Sequence, residues 1–176
     1  MAVKRLNHAV LYVRNVERSV KFYEEALGFR VGMQMPGAAF LNAPGGTNDH
    51  DLGLFQIGDG AGDNPAGRST VGLYHLAWEV ETLAELQEVG QRLGRLGALV
   101  GASDHGSTKA LYAKDPDGIE FEVSWLVPAE LIDDEVKQAR TTVKPLNLPA
   151  EIDRYGADRA GLTTVSYDRQ PQSGTV

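Results

Sequence analysis

The side chains of this chain that could hold a metal ion are histidines and carboxylates, because none of its 176 residues is cysteine. This composition excludes thiolate metal sites, disulfides and cysteine nucleophiles within the chain. Its four histidines are His8, His50, His75 and His105. A bound metal must therefore be held by imidazole nitrogen and carboxylate oxygen, a donor set that suits Fe(II), Mn(II), Zn(II) or Ni(II).

Two of the histidines occupy matching positions in an internal repeat. His8 lies near the start of the strand-like segment 7–13, and His75 lies near the start of the strand-like segment 74–80. Each segment is followed by an amphipathic helical pattern that ends at a glycine, first at Gly28 and then at Gly97. After the helices the repeat continues at 27–31 and 96–100, and shorter extended runs follow at 38–43, 50–57, 109–114 and 119–126. Each half therefore reads β-α-β-β-β, with the glycine-rich segment 58–72 as the linker.

Strand alternation predicts which side chains face away from the helices. In the run 119–126, the apolar side chains alternate with Glu120 and Glu122, which share the other face. The same alternation places His8 and His75 opposite the apolar sides of their own strands. If the two halves pair through the faces that their helices leave uncovered, two imidazoles and a carboxylate converge in one cavity. The alternation itself allows either glutamate to serve.

The repeat and its motifs resemble the vicinal oxygen chelate superfamily over residues 3–127. The superfamily includes glyoxalase I, bleomycin and fosfomycin resistance proteins, and extradiol ring-cleaving dioxygenases. The motifs are Asn7-His8, Tyr74-His75 and the segment 115–122, Asp-Pro-Asp-Gly-Ile-Glu-Phe-Glu. The resemblance implies an α+β fold in which βαβββ modules 3–58 and 72–127 form a metal-binding cup within one domain, 1–127.

The same resemblance assigns the metal ligands. In the family motif the ligand carboxylate stands four residues after the turn glycine, which is Gly118 here, so Glu122 is preferred to Glu120. The expected ligands are His8, His75 and Glu122.

The last strand of the first half separates the branches of this superfamily. Glyoxalase-type members usually take a fourth protein ligand from it, whereas extradiol dioxygenases leave those positions to substrate and dioxygen. By alternation Leu52, Leu54 and Gln56 share a face with His50, and neither leucine can bind a metal. This favours a site of two histidines and one carboxylate carrying Fe(II). We expect a cavity lined by His50, Leu52, Leu54 and Tyr112.

The segment 104–112 resembles the His-Gly and Tyr segment that precedes the ligand glutamate in catechol 2,3-dioxygenase-like proteins. The resemblance implies that His50 is the acid–base catalyst, while Tyr112 and His105 steady the substrate oxygens. The expected function is Fe(II)-dependent extradiol cleavage of an aromatic vicinal diol with O₂. Two alternatives stay open: a glyoxalase-like isomerase or lyase in which His50 is a fourth ligand, and a small-molecule binding or resistance protein.

Charge and hydropathy limit the partners and the location. The net charge is −7, and no basic run is long enough to follow a phosphate backbone, so nucleic acid is not an expected partner. No apolar stretch approaches the roughly 18 residues that span a bilayer, and a cytoplasmic location is expected. The superfamily resemblance implies a homodimer. A C-terminal extension, 128–176, should contain a helix at 129–140 and an extended polar tail.

Overall fold

The first half of the chain folds as one βαβββ module. The computed structural model describes residues 3, 5–64 and 69–162. The elements of the first module are β1 (Ala9–Val13), α1 (Val16–Leu27), β2 (Arg30–Met35), β3 (Ala38–Asn42) and β4 (Leu52–Gln56). Its sheet has the strand order β1-β4-β3-β2, in which β1 runs parallel to β4 and the other pairs are antiparallel.

The second half repeats the same order of elements, which confirms the predicted α+β architecture. It consists of β5 (Leu76–Glu79), α2 (Leu83–Arg95), β6 (Leu99–Asp104), β7 (Thr108–Lys114) and β8 (Glu120–Leu126). Its sheet has the order β5-β8-β7-β6-β9, where β9 is the short strand Lys144–Pro145.

Helix α1 is capped at both ends, and helix α2 is capped at its start. The Asn15 side chain accepts the Arg18 N–H at 2.7 Å, and Gly28, at φ 74°, ends α1 in the left-handed region. Thr82 and Glu85 form a reciprocal capping box in front of α2, with both contacts at 3.1 Å. Local sequence therefore fixes both helix starts.

Helix α1 covers one face of the first sheet and leaves the other face open. The covered face consists of the buried side chains Leu11, Val13, Ala39, Leu41, Leu52 and Leu54. The rings of Phe22 and Tyr23 on α1 also contact Phe121 of β8, with centroids 6.1 and 6.2 Å apart. The open face of the first sheet retains exposed apolar side chains, which bear on function below.

Residue contacts divide the chain into two compact units. The first unit runs to Ala77 and also includes Glu88–Gly101 and Tyr112–Glu122. The second unit contains Trp78–Gln87, Ala102–Leu111 and, of the described residues that remain, 123–162. His8, His50, His75, Tyr112 and Glu122 belong to the first unit, and His105 belongs to the second.

The C-terminal extension differs from the predicted single helix at 129–140. A 3-10 turn, Ala129–Leu131, is separated from helix α3 (Asp134–Ala139), because the Asp133 side chain caps α3 by accepting the Val136 N–H at 2.8 Å. The expected extended tail also contains a helix, α4 (Leu148–Tyr155), which is capped by Asn147. Residues 163–176 of that tail lie outside the described residues.

Helix α4 is anchored by a buried lysine of β7. The Lys109 side chain is 2 % exposed, and its Nζ lies 2.7 Å from Asp104 Oδ1 and 2.9 Å from Glu151 Oε2. The same ammonium lies 5.8 Å from the centroid of the Tyr155 ring. Within the described part of the chain, no helix has both the length and the apolarity needed to cross a membrane.

Candidate metal centre

His75 and Glu122 lie side by side at the spacing of two metal ligands. His75 immediately precedes β5, Glu122 lies within β8, and His75 Nε2 is 3.2 Å from Glu122 Oε2. Two donors that each sit about 2.1 Å from a metal, at tetrahedral or octahedral angles, stand about 3.0 to 3.4 Å apart. This pair therefore fits two adjacent coordination positions.

Two tyrosine rings lie beside His75. The Tyr74 ring centroid is 4.5 Å from that of His75, and the Tyr112 ring centroid is 5.9 Å from it. Burial, the negative charge of Glu122 and a hydrogen bond to Glu122 raise the pKa of Tyr112 to about 12. The phenol therefore stays protonated at neutral pH and can donate to the carboxylate.

His75 also carries a polar atom that the described residues leave unsatisfied. Its Nδ1 is buried and has no hydrogen-bond partner among them. A buried nitrogen of this kind is costly unless a partner such as an ordered water satisfies it. The hydrogen-bonding capacity of the His75 ring is therefore not filled by the described residues.

His8 and His50 form a second pair. Their ring centroids are 4.5 Å apart, and each Nδ1 meets a neighbouring acceptor: Asn7 Oδ1 at 2.7 Å for His8 and Asp49 Oδ2 at 3.1 Å for His50. An Nδ1–H that donates to an oxygen leaves Nε2 as the nitrogen with a lone pair. Metal-binding histidines are commonly held by this kind of hydrogen bond.

A network of side-chain hydrogen bonds bends the chain in front of β4 and turns His50 toward His8. The Asn48 amide donates to Asn7 O and to Asp51 Oδ1, both at 2.8 Å. Asp51 in turn accepts the Ala9 N–H at its carbonyl and the Ala43 N–H at its carboxylate, at 3.0 and 2.9 Å. The start of β1 and the bend before β4 are thereby tied together.

This bend overturns the predicted lining of β4. Leu52 and Leu54 are completely buried on the face that α1 covers, so the prediction that they share a face with His50 and line the cavity is wrong. Alternation fails because the bend at Asp51 interrupts the extended backbone in front of the strand. The open face of β4 presents Gly53 and Phe55 instead, neither of which can bind a metal. The expectation that β4 contributes no ligand therefore rests on these two residues.

The structure yields two pairs rather than one cluster of three ligands. Among residues 3, 5–64 and 69–162, no three His, Cys, Asp or Glu side chains are grouped so that they could hold a metal ion. His8 is exposed and pairs with His50, whereas His75 pairs with Glu122. The expected convergence of the three ligands is thus not found within one copy of the described chain. His105 lies in the turn between β6 and β7, where its backbone N–H donates to the backbone carbonyl of Thr108 at 2.9 Å.

The turn that leads into β8 is held by residues to which the sequence analysis assigned no individual role. Asp115 Oδ1 accepts the N–H groups of Asp117 and Ile119 at 2.9 and 2.8 Å, and Tyr23 donates to Asp115 Oδ2 at 3.2 Å. Asp117 accepts the Arg14 backbone N–H at 3.1 Å. Burial raises the pKa of the Asp115 carboxyl, against the opposing effect of these backbone donors. The turn thereby fixes the strand that carries Glu122.

Comparison with known proteins places this geometry in a family. The sequence model described as the Glyoxalase/Bleomycin resistance protein/Dioxygenase superfamily matches residues 5–123. A solved structure, the glyoxylase/bleomycin resistance protein/dioxygenase domain from Frankia sp. EAN1pec, aligns with a TM-score of 0.57 at 26% identity. The alignment covers 70% of this chain and 92% of that one.

Curated relatives carry names from two kinds of enzyme. Catechol-2,3-dioxygenase from Bacillus subtilis is 36% identical over 67% of this chain, which spans only 40% of that relative. Biphenyl-2,3-diol 1,2-dioxygenase 3 from Rhodococcus globerulus is 31% identical, over 93% of this chain and 89% of its own length. A lactoylglutathione lyase from Neisseria meningitidis is 28% identical over 67% of this chain and 88% of its own length.

Proposed function

This chain belongs to the glyoxalase/bleomycin resistance protein/dioxygenase superfamily, and we propose that within it the chain is an extradiol-type dioxygenase that cleaves an aromatic vicinal diol with O₂. The observation that carries the proposal is the contact of His75 with Glu122 at ligand spacing. The open face of β4, which presents Gly53 and Phe55, supplies no further ligand. Two relatives support it, a catechol-2,3-dioxygenase at 36% identity and a biphenyl-2,3-diol 1,2-dioxygenase at 31% identity.

The proposed ligand set is His8, His75 and Glu122. Two imidazoles and one carboxylate with open coordination positions suit Fe(II), and the same donors also accept Mn(II), Zn(II) or Ni(II). Bound Fe(II) would supply chelation of the diol and activation of dioxygen. The Nδ1 contact of His8 with Asn7 leaves its Nε2 as the ligand atom, and the 3.2 Å contact of His75 with Glu122 provides the other two donors.

We further propose that His8 reaches the other two ligands from a second copy of the chain. In one copy His8 belongs to a different pair from His75 and Glu122, and no group of three is found in the described residues. A two-fold dimer would place His8 of each copy beside His75 and Glu122 of the other, creating two identical sites.

The open face of the first sheet also favours such a dimer. Its apolar side chains remain exposed in the single chain: Val10 by 51%, Tyr12 by 71%, Met33 by 51%, Met35 by 44% and Phe55 by 37%. Apolar side chains that cluster on one exposed face are characteristic of interaction sites and ligand grooves. A second copy that covers this face would convert it into the wall of a cup.

His50 is proposed to transfer protons to and from the diol. Its Nδ1 is held by Asp49, so Nε2 is the atom that can accept a proton as the diol binds and later return it. Its ring lies beside that of His8, with the centroids 4.5 Å apart, and therefore next to a proposed ligand. Tyr112 is proposed to donate a hydrogen bond near Glu122, and the oxygen-steadying role of His105 stays a prediction.

Oxygen consumption tests the reaction. Protein loaded with Fe(II) under anaerobic conditions should bind a catechol, take up O₂ when oxygen is admitted, and yield a yellow ring-opened product. The His50→Gln variant should keep its metal and slow turnover by about 10²- to 10⁴-fold, because a positioned proton-transfer group contributes that much. Absence of oxygen uptake with every diol of a broad catechol panel would reject the proposal.

A glyoxalase-like isomerase or lyase is the second candidate, and the contact between His8 and His50 is the observation that favours it. If His50 Nε2 bound the metal as a fourth protein ligand, fewer positions would remain for substrate and dioxygen. The name of the Neisseria relative is consistent with this reading. It predicts that His50→Gln loses metal and that the protein is active with Ni(II) or Zn(II) without consuming O₂.

A further inference from the structure

We propose that Asn48 is a positioning residue that holds the rings of His8 and His50 in their places beside each other. It does so through Asn7 on one side and through Asp51 on the other. The inference rests on the proposed function, which assigns one of these histidines to the metal and the other to proton transfer. It adds a residue that acts on the site through its neighbours.

Two cross-links join the start of β1 to the loop in front of β4. Asn48 Nδ2 donates to the Asn7 carbonyl at 2.8 Å. The Ala9 N–H donates to the Asp51 carbonyl at 3.0 Å. The two histidines lie between these cross-links along the chain. The second link joins backbone groups, so the side chain of Asn48 is the part of this arrangement that the sequence specifies.

The amide of Asn48 acts on His8 through Asn7. Asn48 Oδ1 accepts Asn7 Nδ2 at 3.3 Å, and Asn7 Oδ1 lies 2.7 Å from His8 Nδ1. Because the amide nitrogen of Asn7 is turned to Asn48, its oxygen is the atom left to face the imidazole. His8 Nδ1 then carries the proton, and Nε2 keeps the lone pair that can bind a metal.

The same amide acts on His50 through Asp51. Asn48 Nδ2 donates to Asp51 Oδ1 at 2.8 Å, and the Ala43 N–H donates to Asp51 Oδ2 at 2.9 Å. A Cβ at Gly46 would collide with Asp51 Oδ2, so the loop closes tightly around this carboxylate. With both of its oxygens held, Asp51 fixes the residue before it, His50, whose ring centroid lies 4.5 Å from that of the other histidine.

The positioning role requires an amide and not a carboxylate. In Asn48→Asp, an oxygen would replace the nitrogen that now donates to the Asn7 carbonyl and to the Asp51 carboxylate. Acceptors that face each other without a proton lose their hydrogen bonds, and the two carboxylates would also repel. Arg5 donates to Asn48 Oδ1 and would favour the new charge, but an exposed pair of this kind contributes little.

Imidazole nitrogen resonances of the metal-free protein test the proposal without relying on the reaction. At about pH 9, where histidine rings are neutral, long-range ¹H–¹⁵N spectra report which ring nitrogen carries the proton. We expect the wild type to hold the His8 proton on Nδ1 and Asn48→Asp to show a mixture of both tautomers. Anaerobic calorimetry should also show Fe(II) binding weakened by about ten- to a hundred-fold, the usual effect of losing a group that orients a ligand histidine.

A second asparagine provides the matched control. Asn15 caps α1 by accepting the Arg18 N–H at 2.7 Å, and aspartate caps a helix about as well as asparagine does. Asn15→Asp therefore makes the same exchange of amide for carboxylate and should change neither the His8 tautomer nor the Fe(II) affinity. If Asn48→Asp does not fold, Asn48→Ala, which removes the amide without adding a charge, should give the same mixture of tautomers.

The outcomes separate the positioning role from the reaction. An unchanged His8 tautomer in Asn48→Asp, or an equal change in Asn15→Asp, would overturn the role of Asn48 while leaving ring cleavage in place. A tautomer mixture in Asn48→Asp, combined with a wild type that takes up no O₂ with any diol, would keep the role and reject the reaction. A wild type that already shows both tautomers would overturn the role.

Discussion

Replacing Lys109 with methionine should destabilise the protein far more than the loss of an ordinary surface ion pair. The Lys109 side chain is 2% exposed, and its ammonium lies within 2.9 Å of both Asp104 and Glu151. Methionine retains an unbranched side chain of similar length and removes the charge. The two carboxylates would then lose the cation that they share.

The size of the effect follows from burial. Removing one partner of a buried ion pair costs about 3–5 kcal/mol, because the remaining charge stays desolvated. The Asp104 and Glu151 side chains are 20% and 14% exposed, so they retain some contact with water. We therefore expect a loss near the lower end, about 3 kcal/mol of unfolding free energy. For a chain of this length such a loss lowers Tm by about 6–12 °C.

Urea unfolding followed by circular dichroism measures this loss, and Lys137→Met is the matched control. Lys137 forms a pair of similar length, 2.9 Å to Asp134, but the two side chains are 58% and 91% exposed. Exposed pairs contribute little, so the control should leave the unfolding free energy nearly unchanged. Equal losses in the two variants would refute the argument that burial makes Lys109 the anchor of α4.

Two further predictions concern the surroundings of Glu122. Tyr112→Phe should retain bound metal and slow diol turnover by less than His50→Gln does, because it removes one hydrogen bond and keeps the ring; loss of metal on atomic analysis would contradict this. Because burial raises the pKa of Asp115 above its ordinary value, its folded form holds the proton to higher pH than the unfolded chain does. The unfolding free energy of the wild type, relative to that of Asp115→Asn, should therefore fall as pH rises from about 4 through the raised pKa and then level off. If urea titrations showed this difference in unfolding free energy rising over that pH range, the raised pKa of Asp115 would be contradicted.

The sequence predicted the elements well wherever local rules act without interruption. Asn15, Gly28 and the Thr82–Glu85 capping box fix the helix boundaries through contacts within a few residues. Alternation also gave the correct facing for β8, where Phe121 is buried and Glu122 faces the other side. Local capping and an unbroken period of two residues were sufficient for these features.

Two errors came from local features. At His50, side-chain hydrogen bonds interrupt the strand alternation, and at α4 a helix-start signal was overlooked. Alternation failed at His50 because Asn48 and Asp51 bend the chain in front of β4. Helix α4 was missed although Asn147 and Pro149 form a helix-start signal, because the polar composition around it was taken as an extended tail. The proposed meeting of His8 with His75 and Glu122 would depend on quaternary packing, which no local pattern encodes.

Metal content in mixed dimers tests the proposed centre most directly. His8→Ala and Glu122→Ala would each be prepared alone and then combined in equal amounts by refolding together. If the ligands come from two copies, each variant alone should be nearly metal-free, while the mixture should regain about one quarter of the wild-type metal, since half of the dimers are mixed and each of these holds one intact site. Full metal content in either variant alone, or a mixture that stays metal-free, would contradict the shared centre of His8, His75 and Glu122.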